Sequence, residues 1–311
     1  MIVARAPATS ANLGPGFDVI GVALDLAYDE VEVEVRKGSG IEIEVEGVEA
    51  SQIPVDPERN SAGLVAKELL RRKGIEGRPI IKIRKGIPQG VGLGSSAATA
   101  AATAAALAKA LDLRLSSLDL IEVAALGEVA SSGVAHADNV APSILGGFVA
   151  ILSYSPLRVE KLLPPPHLEF ALAIPTNVKK TTERARAVLP KNINLREHVE
   201  SMASFSMLII GIFKGDLELI GRAVSSDTIV EAARAKVYPG FLKAKEAAIE
   251  AGALGATLSG AGPTVIAVTD ARKNNSWDVA KAMKRAYECE GVECLIAVCK
   301  PRIVGVEVFE R

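Results

Sequence analysis

Residues 88–98 read Pro-Gln-Gly-Val-Gly-Leu-Gly-Ser-Ser-Ala-Ala, and this stretch decides the fold prediction for the whole chain. Three glycines, Gly90, Gly92 and Gly94, alternate with other residues directly before an alanine-rich segment. Glycine allows unusual backbone angles and close approach, so that backbone N–H groups can surround an anion. The N-terminus of a following helix adds unpaired N–H donors and about half a positive charge. The stretch therefore predicts a phosphate-binding loop.

Two better-known phosphate motifs do not match this stretch. A Walker A loop requires a lysine directly before its Ser or Thr, whereas Gly94 precedes Ser95. The spacing GVGLGSS also differs from the G-x-G-x-x-G dinucleotide fingerprint. A plain strand–helix turn closed by a serine cap remains an alternative interpretation, although a cap needs only one serine and no run of glycines.

The segments around the loop alternate between strand and helix patterns. Ile80–Arg84 is predicted as a strand before the loop and Ser95–Leu111 as an alanine-rich helix after it. Further strands are predicted at Glu30–Val35, Glu42–Glu46, Glu169–Ile174, Thr264–Thr269 and Glu293–Val298, and further helices at Asn60–Gly74, Leu118–Ser131, Glu197–Lys214, Leu217–Val224, Phe241–Ala251 and Trp277–Glu290. A second glycine-rich loop is predicted at Gly255–Ala261. Acidic residues alternate with apolar ones in the strands, which favours an α+β fold with antiparallel or mixed sheets.

Composition restricts the function classes. The 311 residues contain 36 Lys and Arg against 37 Asp and Glu, so the net charge of −1 argues against a nucleic-acid-binding protein. No apolar run suits a membrane span and the N-terminus lacks a secretory signal pattern, so we expect a cytoplasmic protein. The length suggests two domains, and the proline-rich Leu162–His167 places the predicted boundary between 1–160 and 161–311.

The three cysteines do not form a recognisable metal site. Cys289, Cys294 and Cys299 are spaced five residues apart, without the matched Cys or His pair that zinc requires. We predict reduced, structural thiols.

Three motifs together carry a family resemblance. PQGVGLGSSAA resembles the ATP-binding motif P-x-x-x-G-L-G-S-S-A-A of the GHMP kinases, which include the galacto-, homoserine, mevalonate and phosphomevalonate kinases. Ala8–Gly21 (ATSANLGPGFDVIG) and Leu258–Thr264 (LSGAGPT) resemble the first and third motifs of that family and stand in the same order. The resemblance implies a two-domain fold, with an N-terminal domain like ribosomal S5 domain 2 and a ferredoxin-like C-terminal domain.

Other segments point to one branch of that family. His136–Gly147, Thr181–Pro190 and Arg234–Phe241 are similar to segments of the homoserine kinases. The implied reaction is transfer of phosphate from ATP to the side-chain hydroxyl of L-homoserine. This would be a step of threonine biosynthesis, with a homodimer as the family's expected state.

The resemblance also implies which residues bind the nucleotide and its metal. The expected ATP-binding residues are Asn60, Pro88, Gly90, Val91, Gly92, Leu93, Gly94, Ser95, Ser96, Ala97, Gly260 and Gly262. Lys85 is added because it stands directly before the loop, with an exposed surface charge at the strand end as the equal alternative. Ser96 and Glu128 match positions at which family members hold Mg²⁺, an ion that prefers oxygen ligands.

The chemistry of homoserine suggests the remaining residues. Its carboxylate needs a cation, and a guanidinium binds carboxylates through two parallel hydrogen bonds, which makes Arg186 and Arg234 the candidates. Asp18, with Asn12 close to it in sequence, is expected to hold the ammonium group, and His136 to face the amino acid or its hydroxyl.

The roles of four more residues are less defined. Asn139 and either Thr181 or Thr182 are expected to orient the hydroxyl or the γ-phosphate. Asp138 as a general base is a hypothesis, because homoserine kinases are thought to work without a strong base and no lysine partner stands beside it.

Alternative functions remain at the level of sequence. A shikimate- or mevalonate-type kinase would also use the glycine loop, and a shikimate site would use the arginines, but it would have no ammonium group for Asp18. A non-catalytic nucleotide-binding regulator and an amino-acid sensor are the alternatives from other classes. The apolar Met207–Phe213 segment belongs either to the core or to an interface.

Overall fold

The computed structural model describes residues 1–129, 136–178 and 182–311. Within these ranges the chain forms one seven-stranded and one four-stranded sheet, with helices packed against both. The strands are β1 (Ile2–Asn12), β2 (Gly16–Arg36), β3 (Glu42–Gly47), β4 (Arg78–Lys85), β5 (Phe148–Tyr154), β6 (Leu157–Leu162), β7 (Leu168–Pro175), β8 (Gly255–Leu258), β9 (Val265–Asp270), β10 (Cys294–Cys299) and β11 (Glu307–Glu310).

The helices in the described ranges alternate with these strands. They are α1 (Ser61–Lys73), α2 (Ser95–Ala110), α3 (Ser117–Gly127), α4 (Val140–Leu145), α5 (Thr182–Ala187), α6 (Leu195–Lys214), α7 (Leu217–Val224), α8 (Val230–Ala235), α9 (Phe241–Glu250) and α10 (Ser276–Cys289). Two short 3₁₀ turns, Ala50–Gln52 and Ala271–Lys273, complete the regular structure of the described residues.

The larger sheet is organised around the long strand β2. Its neighbours run in the order β11-β1-β2-β4-β3, and the β5–β6 hairpin pairs with the opposite end of β2 from β4. Among the described strand pairs of both sheets, only β3–β4 is parallel. The predicted α+β class with antiparallel or mixed sheets is confirmed.

Helix α2 lies in the centre of the larger core. It packs against β1 and β2 on one side and against α1 and α3 on the other, and nearly all of its residues are buried. A helix covered on all sides must lie close to its neighbours, and alanine has a small side chain and a high helix propensity. This explains why an alanine-rich segment follows the glycine loop.

The smaller sheet has the strand order β10-β7-β9-β8, and all three of its described pairs are antiparallel. Numbered within this sheet, the order is 4-1-3-2, the arrangement of ferredoxin-like folds. Helices α9 and α10 pack on it around a second core that includes Phe241, Met283 and Tyr287. The predicted ferredoxin-like C-terminal domain is therefore confirmed.

The structure corrects several predicted elements. Gly255–Leu258 is strand β8, so the second glycine-rich loop begins only at Ser259. Helix α3 ends at Gly127 rather than Ser131, and residues 130–135 lie outside the described residues. Strand β1 was not predicted. Apolar side chains lie on both of its faces, so its sequence lacks the period-two pattern of a half-buried strand.

The predicted boundary at 160/161 corresponds only roughly to the division between the sheets. Strand β6 continues to Leu162 within the larger sheet, and β11 returns from the C-terminus to pair with β1. The segment 161–311 thus contributes to both sheets, and the boundary remains a prediction.

Two further points of the sequence analysis concern the chain as a whole. None of the helices in the described residues is both long and apolar enough to cross a membrane. All three cysteines are free, with Cys294 and Cys299 buried at the two ends of β10 and Cys289 exposed.

Candidate active site

The glycine loop lies between β4 and α2 and contacts the second glycine loop. A Cβ on Gly92 would lie 2.2 Å from the Ser259 carbonyl oxygen, and Gly92 has a φ of +85°. A Cβ on Gly94 would lie 1.9 Å from the Thr9 hydroxyl oxygen. Gly92 was expected to be glycine so that a phosphate could approach the backbone. The structure adds a separate reason, because the two loops pack backbone to backbone.

Helix α2 begins without a side-chain cap. Gly94 is the N-cap residue, with a φ of +66°, and no side chain accepts a hydrogen bond from the first turn. The Ser95 hydroxyl instead donates to the Ile87 carbonyl oxygen at 2.8 Å, and the Ser96 hydroxyl donates to Glu128. The alternative of a serine-capped turn is therefore wrong. The first turn offers its backbone N–H groups and the positive end of the helix dipole toward the cavity.

Lys85 lies beneath the glycine loop, where it lines a cavity beside Asn60 and not the cavity between the two glycine loops. Its side chain is only 3% exposed and forms an ion pair with Asp29. The ammonium group also donates to the Ser95 carbonyl oxygen at 3.0 Å and to the Thr99 hydroxyl at 2.8 Å. These three partners occupy the donors of the ammonium group in this structure, and its expected contact with the phosphates stays a prediction.

Asp29 completes a buried latch under the loop. Its carboxylate accepts hydrogen bonds from the backbone N–H groups of Gly86 at 3.0 Å and Ile87 at 3.1 Å, and from the Thr99 hydroxyl at 2.7 Å. The Asp29–Lys85–Thr99 latch thus connects the entrance of the loop to the first turns of α2.

A large cavity opens between the two glycine loops. It measures about 390 Å³. Most predicted site residues line it, namely Asn12, Asp18, Pro88, Gly90, Gly92, Leu93, Gly94, Ser95, Ser96, Glu128, His136, Asp138, Asn139, Arg186, Arg234, Gly260 and Gly262. Of the remaining predicted residues, Val91 and Ala97 are buried in the larger core.

A second cavity of about 400 Å³ adjoins the first and shares Gln89, Ser95 and Ser96 with it. Asn60 lines this second cavity. It is also the N-cap of α1, as predicted, and its side chain accepts a hydrogen bond from the Ala62 N–H at 2.9 Å. The glycine loop therefore has a cavity on each side.

Two arginines line the main cavity and not the second one. Arg186 donates from one nitrogen to both oxygens of Asp18, each at 2.9 Å. The buried Arg234 donates to the Gly260 carbonyl oxygen at 2.9 Å. Both guanidinium groups lie against the ring of Phe17, at 5.1 Å and 5.5 Å from its centre. Asp18 and Arg186, which are expected to bind opposite ends of an amino acid, are thus in contact with each other.

The loop that carries Asp18 has an unusual backbone. Asn12, Leu13 and Asp18 all have positive φ angles, which cost free energy for residues other than glycine. Asn12 supports the loop by accepting from the Asp18 N–H at 3.1 Å and donating to the Gly260 carbonyl oxygen at 2.9 Å. The Tyr154 hydroxyl donates to the Asp18 carbonyl oxygen at 2.6 Å.

Two nitrogen atoms facing this region have unused hydrogen-bonding capacity. His136 Nε2 and Arg186 Nε are buried and have no hydrogen-bond partner among the residues that the structure describes. Burial lowers the pKa of His136, so the imidazole is held neutral at neutral pH. Because unpaired buried polar atoms cost free energy, these atoms indicate a place for a polar ligand.

The carboxyl group of Asp138 is buried near two other acids. Burial, together with the negative charges of Asp18 and Glu128, raises the pKa of Asp138 to about 7. Burial also raises the pKa of Glu128, while the Ser96 hydrogen bond and the Lys85 charge oppose that rise. Nearby, the Thr9 hydroxyl donates to Asn139 Oδ1 at 2.9 Å, and this contact fixes the Asn139 amide.

The last predicted residues lie at the edge of the described structure. Thr181 is outside the described residues, and Thr182 begins α5 with a side chain that is also outside them. Their predicted roles stay predictions.

The chain is similar in sequence to known proteins along nearly all of its length. The family model described as "GHMP kinases N terminal domain" matches residues 60–147, and that described as "GHMP kinases C terminal" matches residues 208–289. A homoserine kinase of Methanococcus vannielii is 40% identical, over 91% of this chain and 92% of its own. One of Saccharolobus islandicus is 39% identical, over 99% of this chain and 98% of its own. The chain belongs to the homoserine kinase family of the GHMP kinases.

Solved structures of this family have the same fold. A homoserine kinase from Cytophaga hutchinsonii superposes with a TM-score of 0.92 at 37% identity, covering 99% of this chain and 97% of the other. A putative homoserine kinase from Listeria monocytogenes gives 0.75 at 26% identity, with full coverage of both chains. A mevalonate kinase from L. major, at 15% identity and a TM-score of 0.72 over 96% of this chain and 95% of the other, shares the fold.

Four residues that support this phosphotransferase site through hydrogen bonds to its other residues were not predicted from the sequence. Asp29, Thr99, Thr9 and Tyr154 stand outside the recognised motifs or act through partners far away in sequence. For Asp29 the sequence carries only a weak signal, because it stands between the short apolar run Leu26–Tyr28 and Glu30, and the structure shows that its position is fully buried. A buried carboxylate needs partners, and the loop supplies them.

Proposed function

We propose that this enzyme transfers the γ-phosphoryl group of ATP to the side-chain hydroxyl of L-homoserine, giving O-phospho-L-homoserine for threonine biosynthesis in the cytoplasm. The observation that carries the proposal is the shared cavity: an uncapped helix N-terminus faces it together with two arginines, an aspartate and a neutral histidine. It therefore offers donors for phosphates and opposite charges for a zwitterion.

The proposed binding of the nucleotide depends on the glycine loop. The backbone N–H groups at the start of α2 and the two packed glycine loops form the phosphate site, with Gly260 and Gly262 on the opposite wall. The adjoining cavity beside Asn60 accommodates the base and ribose. In this arrangement Lys85 holds the loop in shape through Asp29.

The proposed binding of the amino acid depends on an exchange of ion-pair partners. In the structure Arg186 is bound to Asp18. A zwitterion can enter between them, because its carboxylate replaces Asp18 as the partner of Arg186 and its ammonium replaces Arg186 as the partner of Asp18. The unpaired Nε of Arg186 is a further donor for the carboxylate, and Arg234 supplies the second positive charge.

Positioning accounts for most of the chemistry. Phosphoryl transfer depends on in-line alignment and on stabilising negative charge more than on covalent help from the protein. Asn139 is held by Thr9 and is available to orient the hydroxyl or the γ-phosphate. The role of Asp138 as general base remains a hypothesis. Its raised pKa of about 7 gives it a suitable proton affinity, but the described residues show no hydrogen bond between its carboxylate and a hydroxyl group.

Magnesium fits the donors beside the loop. Ser96 and Glu128 place a hydroxyl and a carboxylate together at the cavity wall, and Mg²⁺ takes oxygen ligands. The described residues hold no cluster of three or more His, Cys, Asp or Glu for a metal, so phosphates and water would complete the shell. When bound, the ion neutralises phosphate charge.

A substrate panel tests the proposal. Purified enzyme with Mg·ATP is given homoserine, threonine, serine, shikimate or mevalonate, and ADP release and the phosphorylated product are measured. We expect homoserine to have the highest kcat/KM. Preference for shikimate or mevalonate would favour the alternative, another GHMP small-molecule kinase, and no transfer to any of them would contradict the proposal.

A further inference from the structure

A buried ion pair joins helices α8 and α9 beside strand β8. Glu231 of α8 is only 7% exposed, and its carboxylate pairs with Lys245 of α9. The same carboxylate accepts a hydrogen bond from the Thr257 hydroxyl of β8 at 2.6 Å, and Lys245 also donates to the Ser225 carbonyl oxygen at 3.2 Å. Glu231 is not among the described residues that line either cavity, so its effect on a substrate must pass through a neighbour.

The backbone at the start of α8 is held as well. The Asp227 carboxylate accepts hydrogen bonds from the N–H groups of Ile229 at 2.9 Å, Val230 at 3.0 Å and Glu231 at 2.8 Å. The helix has only six residues, and a helix of this length has little stability of its own. Its position therefore depends on the turn at Asp227 and on the contacts of Glu231 with α9 and β8.

Arg234 stands three residues after Glu231 and reaches the main cavity. Residues three apart in a helix lie on the same side of it. The Arg234 guanidinium donates to the Gly260 carbonyl oxygen at 2.9 Å and to the Ala185 carbonyl oxygen at 3.3 Å. Gly260 belongs to the second glycine loop, and Ala185 directly precedes Arg186. Arg234 thus connects the wall of the proposed phosphate site to the helix that carries Arg186.

Two hydrogen bonds join α8 to the same stretch of chain. Glu231 accepts from Thr257, and Arg234, three residues later, donates to Gly260, which stands three residues after Thr257. The contact at Thr257 fixes where α8 lies along β8. It thereby also fixes the height at which the guanidinium meets the second glycine loop.

We propose that Glu231 is a positioning residue of the active site, which sets the position of the Arg234 guanidinium through its contacts with Lys245 and Thr257. A buried ion pair adds little net stability, because both ions lose their hydration, but in this chain it fixes the elements that it joins. Displacement of a binding group by about 1 Å can cost about 100-fold in rate. The inference rests on the proposed function, in which Arg234 supplies the second positive charge for the amino acid.

Two substitutions that keep the side-chain shape test this role. Glu231→Gln removes the charge, and Thr257→Val removes the hydroxyl. We expect Glu231→Gln to raise KM for ATP and KM for homoserine about 5- to 10-fold each, and Thr257→Val to raise both about 2- to 5-fold. The value of kcat should change by less than about twofold, because the guanidinium is still present and only its binding position is lost.

The matched controls lie at the end of β9 away from the second glycine loop. Asp270 is a buried acid paired with Arg272, and Thr269 is a fully buried threonine whose hydroxyl donates to the Glu169 carbonyl oxygen at 3.1 Å. Asp270→Asn and Thr269→Val should lower the melting temperature and leave both KM values unchanged. A rise of both KM values in these controls equal to that in Glu231→Gln would overturn the proposal.

A double-mutant cycle separates positioning from stability. If Glu231 acts through Arg234, adding Glu231→Gln to Arg234→Leu should raise neither KM further, although it lowers the melting temperature further. Should Glu231→Gln fail to fold, Thr257→Val replaces it in the same cycle. Additive effects on KM, or unchanged KM values in the single variant together with a lower melting temperature, would overturn the proposal.

Nucleotide binding makes the test independent of the acceptor. The Kd for Mg·ADP, measured by calorimetry, should rise about 5-fold in Glu231→Gln and should rise no further when that substitution is added to Arg234→Leu. If the enzyme phosphorylates no acceptor of the substrate panel, the proposed function fails, and this Kd still decides the inference. An unchanged Kd would overturn the link from Glu231 through Arg234 to Gly260.

Discussion

The two ends of the main cavity are built in different ways. At the nucleotide end, a single stretch of chain forms the loop and the helix, and the latch of Asp29, Lys85 and Thr99 satisfies its buried polar groups. At the amino-acid end, segments from four parts of the chain meet, and two buried nitrogen atoms, His136 Nε2 and Arg186 Nε, have no hydrogen-bond partner within the described ranges. The first end is complete before substrate arrives, whereas the second is completed by it.

The contrast suits the two substrates, because one end binds a common group rigidly and the other end selects an amino acid. Phosphates are common to every kinase of the fold and can be bound by backbone groups in a fixed loop. An amino acid must be distinguished by charge and shape, which requires side chains whose present partners can be exchanged. Substitutions at the two ends should therefore have separable effects on the two substrates.

The largest effect is expected where the two glycine loops touch. Gly92→Ala places a Cβ 2.2 Å from the Ser259 carbonyl oxygen, so the loops must separate. We expect kcat/KM for ATP to fall about 100-fold, as for a displacement of about 1 Å in a site. Gly291→Ala is the matched control, because Gly291 also has a positive φ but has open space around it. Equal ATP kinetics in the two variants would show that loop contact is unimportant.

The next effect separates the two ends. Arg186→Leu should raise KM for homoserine about 10- to 100-fold, because a hydrogen-bond partner of a charged group is worth about 1.5–3 kcal/mol. KM for ATP should change little, because Arg186 contacts Asp18 and not the glycine loops.

Arg234→Leu serves as the comparison for that prediction. Arg234 donates to the Gly260 carbonyl oxygen, so its loss should affect both substrates. Initial-rate kinetics with each substrate varied would measure both values. If Arg186→Leu changed the two KM values equally, the division of the cavity would be wrong.

A smaller effect is expected from loosening the latch. Thr99→Val keeps the shape of the side chain but removes the hydroxyl that donates to Asp29. We expect KM for ATP to rise about 5- to 10-fold, because the variant loses the buried hydrogen bonds of the hydroxyl with Asp29 and with Lys85, while KM for homoserine stays unchanged. Thr103→Val is the control, because Thr103 is buried in the same helix and its hydroxyl donates to the Thr99 carbonyl oxygen, away from Asp29. Equal KM values for ATP in both variants would contradict a positioning role.

The smallest effect is on stability. The pKa of Asp138 is raised from 3.8 to about 7, so the folded state binds a proton that the unfolded state has lost over this interval. The contribution of Asp138 to stability is therefore full below about pH 4 and is lost as the pH rises toward 7. Between pH 4 and pH 7, the Tm of Asp138→Asn should therefore fall by a few degrees less than the Tm of the unsubstituted protein. Thermal unfolding at several pH values measures both. The same variant tests the base hypothesis, since nearly unchanged kcat would exclude it.

Much of the fold could be predicted from local sequence signals. The glycine loop, the alanine-rich helix α2 and helix α1 with its Asn60 and Gly74 ends depend on neighbouring residues, and they lie where the sequence indicated. Helix α7, Leu217–Val224, has the predicted ends. Strands β1 and β11 escaped prediction because their identity depends on pairing between the two ends of the chain.

The sequence by itself determined the family, the glycine loop and the set of residues that gather at the cavity, because motifs and periodicity are local properties. Only the tertiary structure decided the partners: Lys85 turned inward to Asp29, and Arg186 paired with Asp18 across 168 positions of chain. The physical reason is that a charged side chain takes the best partner within reach. Which partners are within reach is set by how the sheets and helices pack.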